Sequence, residues 1–228
     1  MDDEERLSLA LMRTSFLRTP RQTLSTFGTT NINYYLLTRP AYADGDVSET
    51  VVRTGRIIAN RPRIVTPYYL SRLDGFSADA KRYFDKLLET YGPDSPGICY
   101  TYRNEPAGTN IISNTFEDVL CKINIEIDAK NDPLAAIIRG EDMMWDVSLM
   151  KFIFEITNSS LKGNLADFHS HGLLDVHKGL PVEVQLNIEA MFQRVKEGRI
   201  APWELQQELE QWGLFRVYQD RFFAVLRR

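Results

Sequence analysis

The stretch that most constrains the fold is residues 132–157, DPLAAIIRGEDMMWDVSLMKFIFEIT, the most apolar run in the chain. Removing that much apolar surface from water requires a core built around it. Asp132 before Pro133 has the grammar of a helix start, since proline at the first helical position loses no hydrogen bond. Leu134, Ile137 and Ile138 then recur at helical spacing up to Gly140. The run thus reads as two helical pieces, although residues 135–139 are short enough that a buried strand stays open. Beyond them Trp145, Leu149, Phe152 and Ile156 step along one helical face, while Val147, Met150, Ile153 and Phe154 fill most of the remaining circumference. A helix apolar nearly all round is expected to be buried on several sides. Asp146, Lys151 and Glu155 interrupt it, and nowhere is there a run of about 18 to 20 apolar residues, so no membrane span is expected.

The flanking patterns predict an α+β fold. Residues 2–18 read as an amphipathic helix, and Thr19-Pro20 as the cap of a short helical turn ending near Gly28. Residues 31–38 and 50–59 have the β-branched and aromatic composition of strands, with 63–66 a short companion and 41–48 a connecting loop. Residues 77–91 predict a helix capped by Ser77, packed through Tyr83, Phe84, Leu87, Leu88 and Tyr91 and closed by Gly92. Residues 97–103 alternate as a half-buried strand, 104–110 read as a turn, and Ile111-Ile112 as the returning strand. Over 114–128 a capping-box signal, Asn114 with Glu117 or Thr115 with Asp118, and five apolar residues at helical spacing outweigh four that alternate as in a strand, which favours a helix. Helices are expected from Ser160 to Gly172, from Pro181 to Gly198, from Pro202 to Gly213 and over 214–226. The expected organisation is a small mixed α/β region over 1–130 with a short antiparallel sheet, followed by an all-helical region over 131–228. The two regions are able to share one core.

Net charge is −4 in 228 residues, which gives no overall attraction to nucleic acid or to anionic membranes. Cys99 and Cys121 are the only cysteines and form no CxxC pair, which suits a reducing cytoplasmic compartment. The N-terminus is acidic first, with no charged segment leading into a long apolar one, so no secretory signal is expected.

Two clusters could carry chemistry. All three histidines, His169, His171 and His177, fall within nine residues, close to Asp167 and Asp175. In an extended segment HxH places two imidazoles on one side, a grip for a divalent metal; in a helix the same two diverge by about 200°. The string resembles the HxH of amidohydrolases and the H-S-H of JAMM-type metallopeptidases, which implies a metal-dependent hydrolase. Only 57 residues follow His171, however, and both the proline after the second histidine and a downstream Ser-x-x-Asp are absent. The second cluster is a bias: residues 6–72 hold ten arginines, no lysine and three acids. Arg53, Arg56, Arg61 and Arg63 are the candidates for binding phosphate or nucleic acid, since guanidinium forks grip such oxygens bidentately. The plain alternative pairs these arginines with later acids such as Glu117, Asp118, Glu126 and Asp128. Glu141, Asp142 and Asp146 read as acids of a helix's first turn.

The leading expectation is a soluble, non-catalytic interaction or accessory protein with no cofactor. Its terminal helices, rich in aromatics (Trp203, Trp212, Phe215, Tyr218, Phe222, Phe223), would dock another protein or a second copy. The alternatives are the metal hydrolase and the arginine-based phosphate or nucleic-acid binder.

Overall fold

A computed structural model describes residues 3–42, 48–72, 77–93, 95–177 and 179–227. In chain order the elements begin with helix α1 (Asp3–Arg13) and strands β1 (Ser15–Arg18), β2 (Thr30–Thr38), β3 (Thr50–Ala59) and β4 (Arg63–Val65). Helices α2 (Pro67–Ser71) and α3 (Ala78–Tyr91), strands β5 (Gly97–Cys99) and β6 (Tyr102–Ile112), helix α4 (Phe116–Lys130) and strand β7 (Ala135–Arg139) follow. A 3₁₀ turn (Asp142–Met144) leads into the 26-residue helix α5 (Trp145–Ser170). The chain closes with the two-residue strands β8 (Val176–His177) and β9 (Leu180–Pro181) and helices α6 (Val182–Lys196), α7 (Pro202–Gln211) and α8 (Phe215–Leu226).

Contacts group the residues into two compact units, Met1–Pro62 with Tyr100–Asn164, and Arg63–Cys99 with Leu165–Arg228. The protein is of the α+β class. The region expected to be all-helical, 131–228, contains the strands β7, β8 and β9, and the contact grouping is discontinuous along the sequence.

In the first unit a five-stranded sheet has the order β1-β7-β2-β3-β6. The strands β2, β3 and β6 form an antiparallel meander, β7 runs parallel to β2, and β1 closes the edge antiparallel to β7. The sheet is thus longer than the short antiparallel one expected, and it is mixed. Residues 135–139 are the strand, not the helix started by Asp132-Pro133. Ala135, Ala136, Ile137 and Ile138 are each at most 2% exposed, because α4 covers one face of β7 and α5 the other. A strand buried on both faces shows no alternation, which is why its run resembled a helix. The Asp132 side chain instead accepts the Leu134 N–H at 2.9 Å and the Asn33 amide at 2.7 Å.

The helix expected at 114–128 is α4, with Thr115 at its N-cap and Asn131 in the left-handed region at its C-cap. Helix α5 buries Leu149, Phe152, Ile153 and Ile156, but Met150 and Phe154 are each 63% exposed. It therefore packs through one face, against the expectation of burial on several sides. Ser160, expected to cap a new helix, lies inside α5 and back-bonds to the Ile156 carbonyl at 2.7 Å.

Two further expectations fail for identifiable reasons. Residues 14–28 do not continue a helix: α1 stops at Arg13 and residues 15–18 pair with β7. Residues 19–28 form no helical turn, and α5 supplies hydrogen bonds to residues 24 and 26. The Leu24 N–H donates to Ser160 Oγ (3.0 Å), and Asn164 Nδ2 donates to the Leu24 carbonyl (2.9 Å) and Thr26 Oγ1 (2.6 Å). Nor do residues 104–110 turn. They lie within β6, an exposed edge strand where proline is tolerated, with Ala107 extra between the pairs Thr54↔Gly108 and Gly55↔Pro106. Gly55 is needed opposite this bulge, since a Cβ there would lie 2.4 Å from the hydroxyl of buried Tyr34.

The second unit packs Val184, Ile188 and Phe192 of α6, Leu205 and Leu209 of α7, Trp212 and Phe222 around Tyr69 and Val65. Its helices end as expected before Gly172, Gly198 and Gly213. The companion strand β4 pairs with β5, outside the main sheet. Helix α3 forms as expected, and Tyr83 and Tyr91 on it are 61% and 65% exposed. The side chains of Phe84 and Leu87, and residues 43–47 of the expected loop, lie outside the described residues.

Asn164→Ala would remove the donor to the Leu24 carbonyl and to Thr26 Oγ1, with an expected loss of about 1 to 3 kcal/mol. Urea unfolding against Asn158→Ala, an exposed position of the same helix, checks it. Equal midpoints for the two variants would refute the anchoring role.

Candidate anion-binding cleft

Because β2 and β7 are parallel neighbours, their carboxyl ends open on the same side of the sheet, the position where ligands of open α/β sheets bind. Arg39 and Arg139 stand there, one just past β2 and the other the last residue of β7. With Arg13, Phe116, Glu117, Gly140 and Glu141 they line a cleft of about 530 Å³. Gly140 is required for its shape: a Cβ would lie 2.4 Å from Ser148 Oγ on the first turns of α5. Ser148 in turn meets Thr14 Oγ1 at 2.8 Å, which ties α5 to the end of α1 and brings Arg13 within 2.9 Å of Glu141.

The cleft's charges are not equally engaged. The Arg13 guanidinium is matched by Glu141. Arg139 lies over the Phe116 ring, its guanidinium carbon 4.3 Å from the centroid, a stacking that orients the fork without neutralising it. Arg39 is exposed and has no ion-pair or hydrogen-bond partner among the described residues. Glu117 sits in the first turn of α4, where the helix dipole favours a carboxylate. Two guanidinium groups, those of Arg39 and Arg139, thus lack a carboxylate partner among the described residues.

Of the arginines singled out in the sequence, Arg53 is spent within the fold. It holds Asp142 at 2.7 Å and Thr38 Oγ1 at 3.1 Å, and lies 5.7 Å from the Trp145 ring centroid. Arg56 lies three residues along β3 and so on the opposite face, donating to Asn33 Oδ1 at 3.4 Å. Arg61 stacks on Phe27, and Arg63 belongs to the second unit, where it pairs with buried Glu208. Arg53 and Arg56 thus lie on opposite faces of β3. Of the later acids Glu117, Asp118, Glu126 and Asp128, Asp128 meets early arginines, Arg18 at 2.7 Å and Arg21 at 3.7 Å. The residues missed, Arg39 and Arg139, had one signal: each closes an apolar strand run immediately before a Pro or Gly.

His169 lies in the last turn of α5, His171 just beyond it with Nδ1 2.8 Å from the Asp167 carbonyl, and His177 on β8; all three are exposed. Among the described residues no three His, Cys, Asp or Glu side chains are grouped to hold a metal ion. Cys99 and Cys121 are free thiols. On the terminal helices Trp203, Val217, Phe223 and Leu226 are exposed, but Val217 and Leu226 lie half a turn apart around α8 and form no single stripe. No described helix is long and apolar enough to cross a membrane. No family model matches the chain, and neither does any curated protein or solved structure.

Burial raises the pKa of the Asp142 carboxyl, but hydrogen bonds from Arg53, Thr38 and the Ala41 N–H, with the charge of Arg53, outweigh it and hold the group below the usual carboxylate range. A carboxyl with a depressed folded pKa contributes stability that is full above its unfolded value, about 3.9, and is lost as pH falls from there through the folded value. Asp142→Asn is expected to flatten the loss of stability below about pH 4 in urea titrations. An acid limb identical to that of the parent protein would show that the pair carries no such linkage.

Proposed function

We propose that this is a non-catalytic binding protein whose first unit recognises an anionic group, phosphate or carboxylate, in the cleft of Arg13, Arg39 and Arg139. The carrying observation is that Arg39 and Arg139, at the ends of adjacent parallel strands, have no carboxylate partner among the described residues, while the arginines around them are matched. Stacking on Phe116 restricts the Arg139 fork before any ligand arrives, which lowers the ordering cost of a bidentate contact. The expected accessory role is retained in this reading, with an anionic ligand or anionic group of a partner as the thing recognised.

Titration calorimetry with pyrophosphate and with succinate tests the proposal and separates phosphate from carboxylate. Saturable binding of at least one is expected, weakened about tenfold or more by Arg39→Ala and by Arg139→Ala, which is about 1.4 kcal/mol. Arg56→Ala should leave it unchanged. Absence of saturable binding, or equal weakening by Arg56→Ala, would overturn the assignment. A single-stranded oligonucleotide serves as a third probe. If it alone bound, with a steep salt dependence and sensitivity to Arg56→Ala and Arg61→Ala, the wider arginine surface would be the site.

A further inference from the structure

A second cavity of about 360 Å³ lies elsewhere in the first unit, between residues 19–23 and α5. Its size is that of a small-molecule pocket. The floor is apolar: Phe16, Phe152 and Ile156, with the two phenyl centroids 5.6 Å apart and the rings nearly perpendicular. The roof is the irregular segment 19–23, which cannot be drawn from regular secondary structure because its anchors are fixed elsewhere. The Arg21 N–H donates to the Pro133 carbonyl at 2.8 Å, and the Leu24 N–H to Ser160 at 3.0 Å.

The charges at the rim decide what could enter. Glu155 lines the cavity, is exposed, and has no ion-pair or hydrogen-bond partner among the described residues. The lysine one turn earlier, Lys151, would ordinarily pair with it across i and i+4. Its ammonium is instead held by the carbonyls of Leu11 (2.9 Å) and Thr14 (3.2 Å), and lies over the Phe16 ring. Arg21, the cation among the lining residues, lies 3.7 Å from Asp128. The cavity therefore joins an apolar, aromatic floor to an unmatched carboxylate.

We propose that this cavity binds a small apolar amine, its ring or branched alkyl group against Phe16, Phe152 and Ile156 and its ammonium on Glu155. A carboxylic acid of the same shape is disfavoured by like charge, and a neutral isostere forgoes the ion pair. The site shares no residue with the arginine cleft, so either can fail without the other.

The test is an NMR titration of the full chain with phenethylamine, 2-phenylethanol and 3-phenylpropanoate. Phenethylamine is expected to bind at least tenfold more tightly than the alcohol, and the acid more weakly than both. Glu155→Gln, at an exposed position, should reduce the amine to the level of the alcohol and leave the alcohol unchanged. Ser159→Phe, which projects a ring into the cavity from α5, should abolish both. Three outcomes each overturn the proposal: no saturable binding of any probe, affinities that do not rank by charge, or amine binding indifferent to either variant.

Discussion

The burial of β7 on both faces is the constraint on which the first unit depends. Four consecutive side chains, Ala135 to Ile138, have to leave water in both directions at once. Only a position inside a sheet with a helix on each side achieves that for a strand. Helix α4 then has to cover one face through Phe116, Val119, Ile123 and Ile127, and α5 the other through Leu149, Phe152, Ile153 and Ile156. The parallel pairing with β2 follows from the connection, because a helix carries the chain from the end of β6 back to the start of β7.

The same arrangement creates the cleft. Parallel neighbours end together, so residues just past β2 and at the end of β7 share one mouth, and in this chain both are arginines. The surrounding ion pairs are internal ties: Arg53 with Asp142 beneath the end of β2, and Arg13 with Glu141 between α1 and the start of α5. An arginine count along the sequence does not separate tied from untied side chains, since the partners lie 89 or more positions away for these pairs. The candidates Arg53 and Arg56, near in sequence, lie on opposite faces of β3 with different partners.

Local signals were legible wherever the backbone's hydrogen bonds are local. Of the two capping pairs, Asn114 with Glu117 and Thr115 with Asp118, the second starts α4, and the Pro181 and Pro202 starts and the glycine stops of the last helices were readable one residue at a time. The readings that failed are those where distant groups decide. The 19–28 segment makes hydrogen bonds with Pro133, Ser160 and Asn164, all far along the chain, and Thr19-Pro20 opens no helix there. NEPAGTN has turn composition, yet it serves an edge strand, where Pro106 and the extra Ala107 are accommodated by Gly55 on the neighbouring strand. Asp132-Pro133 looked like a helix cap because the decisive fact, burial from two sides, is not encoded in six residues.

The most direct test of the central claim observes the arginine side chains themselves. In a ¹⁵N spectrum of the Nε–Hε groups, addition of pyrophosphate or succinate should shift the signals of Arg39 and Arg139 in a saturable way and leave those of Arg53 and Arg63 in place. Saturable shifts confined to Arg56 and Arg61, or no shifts at Arg39 and Arg139, would contradict it.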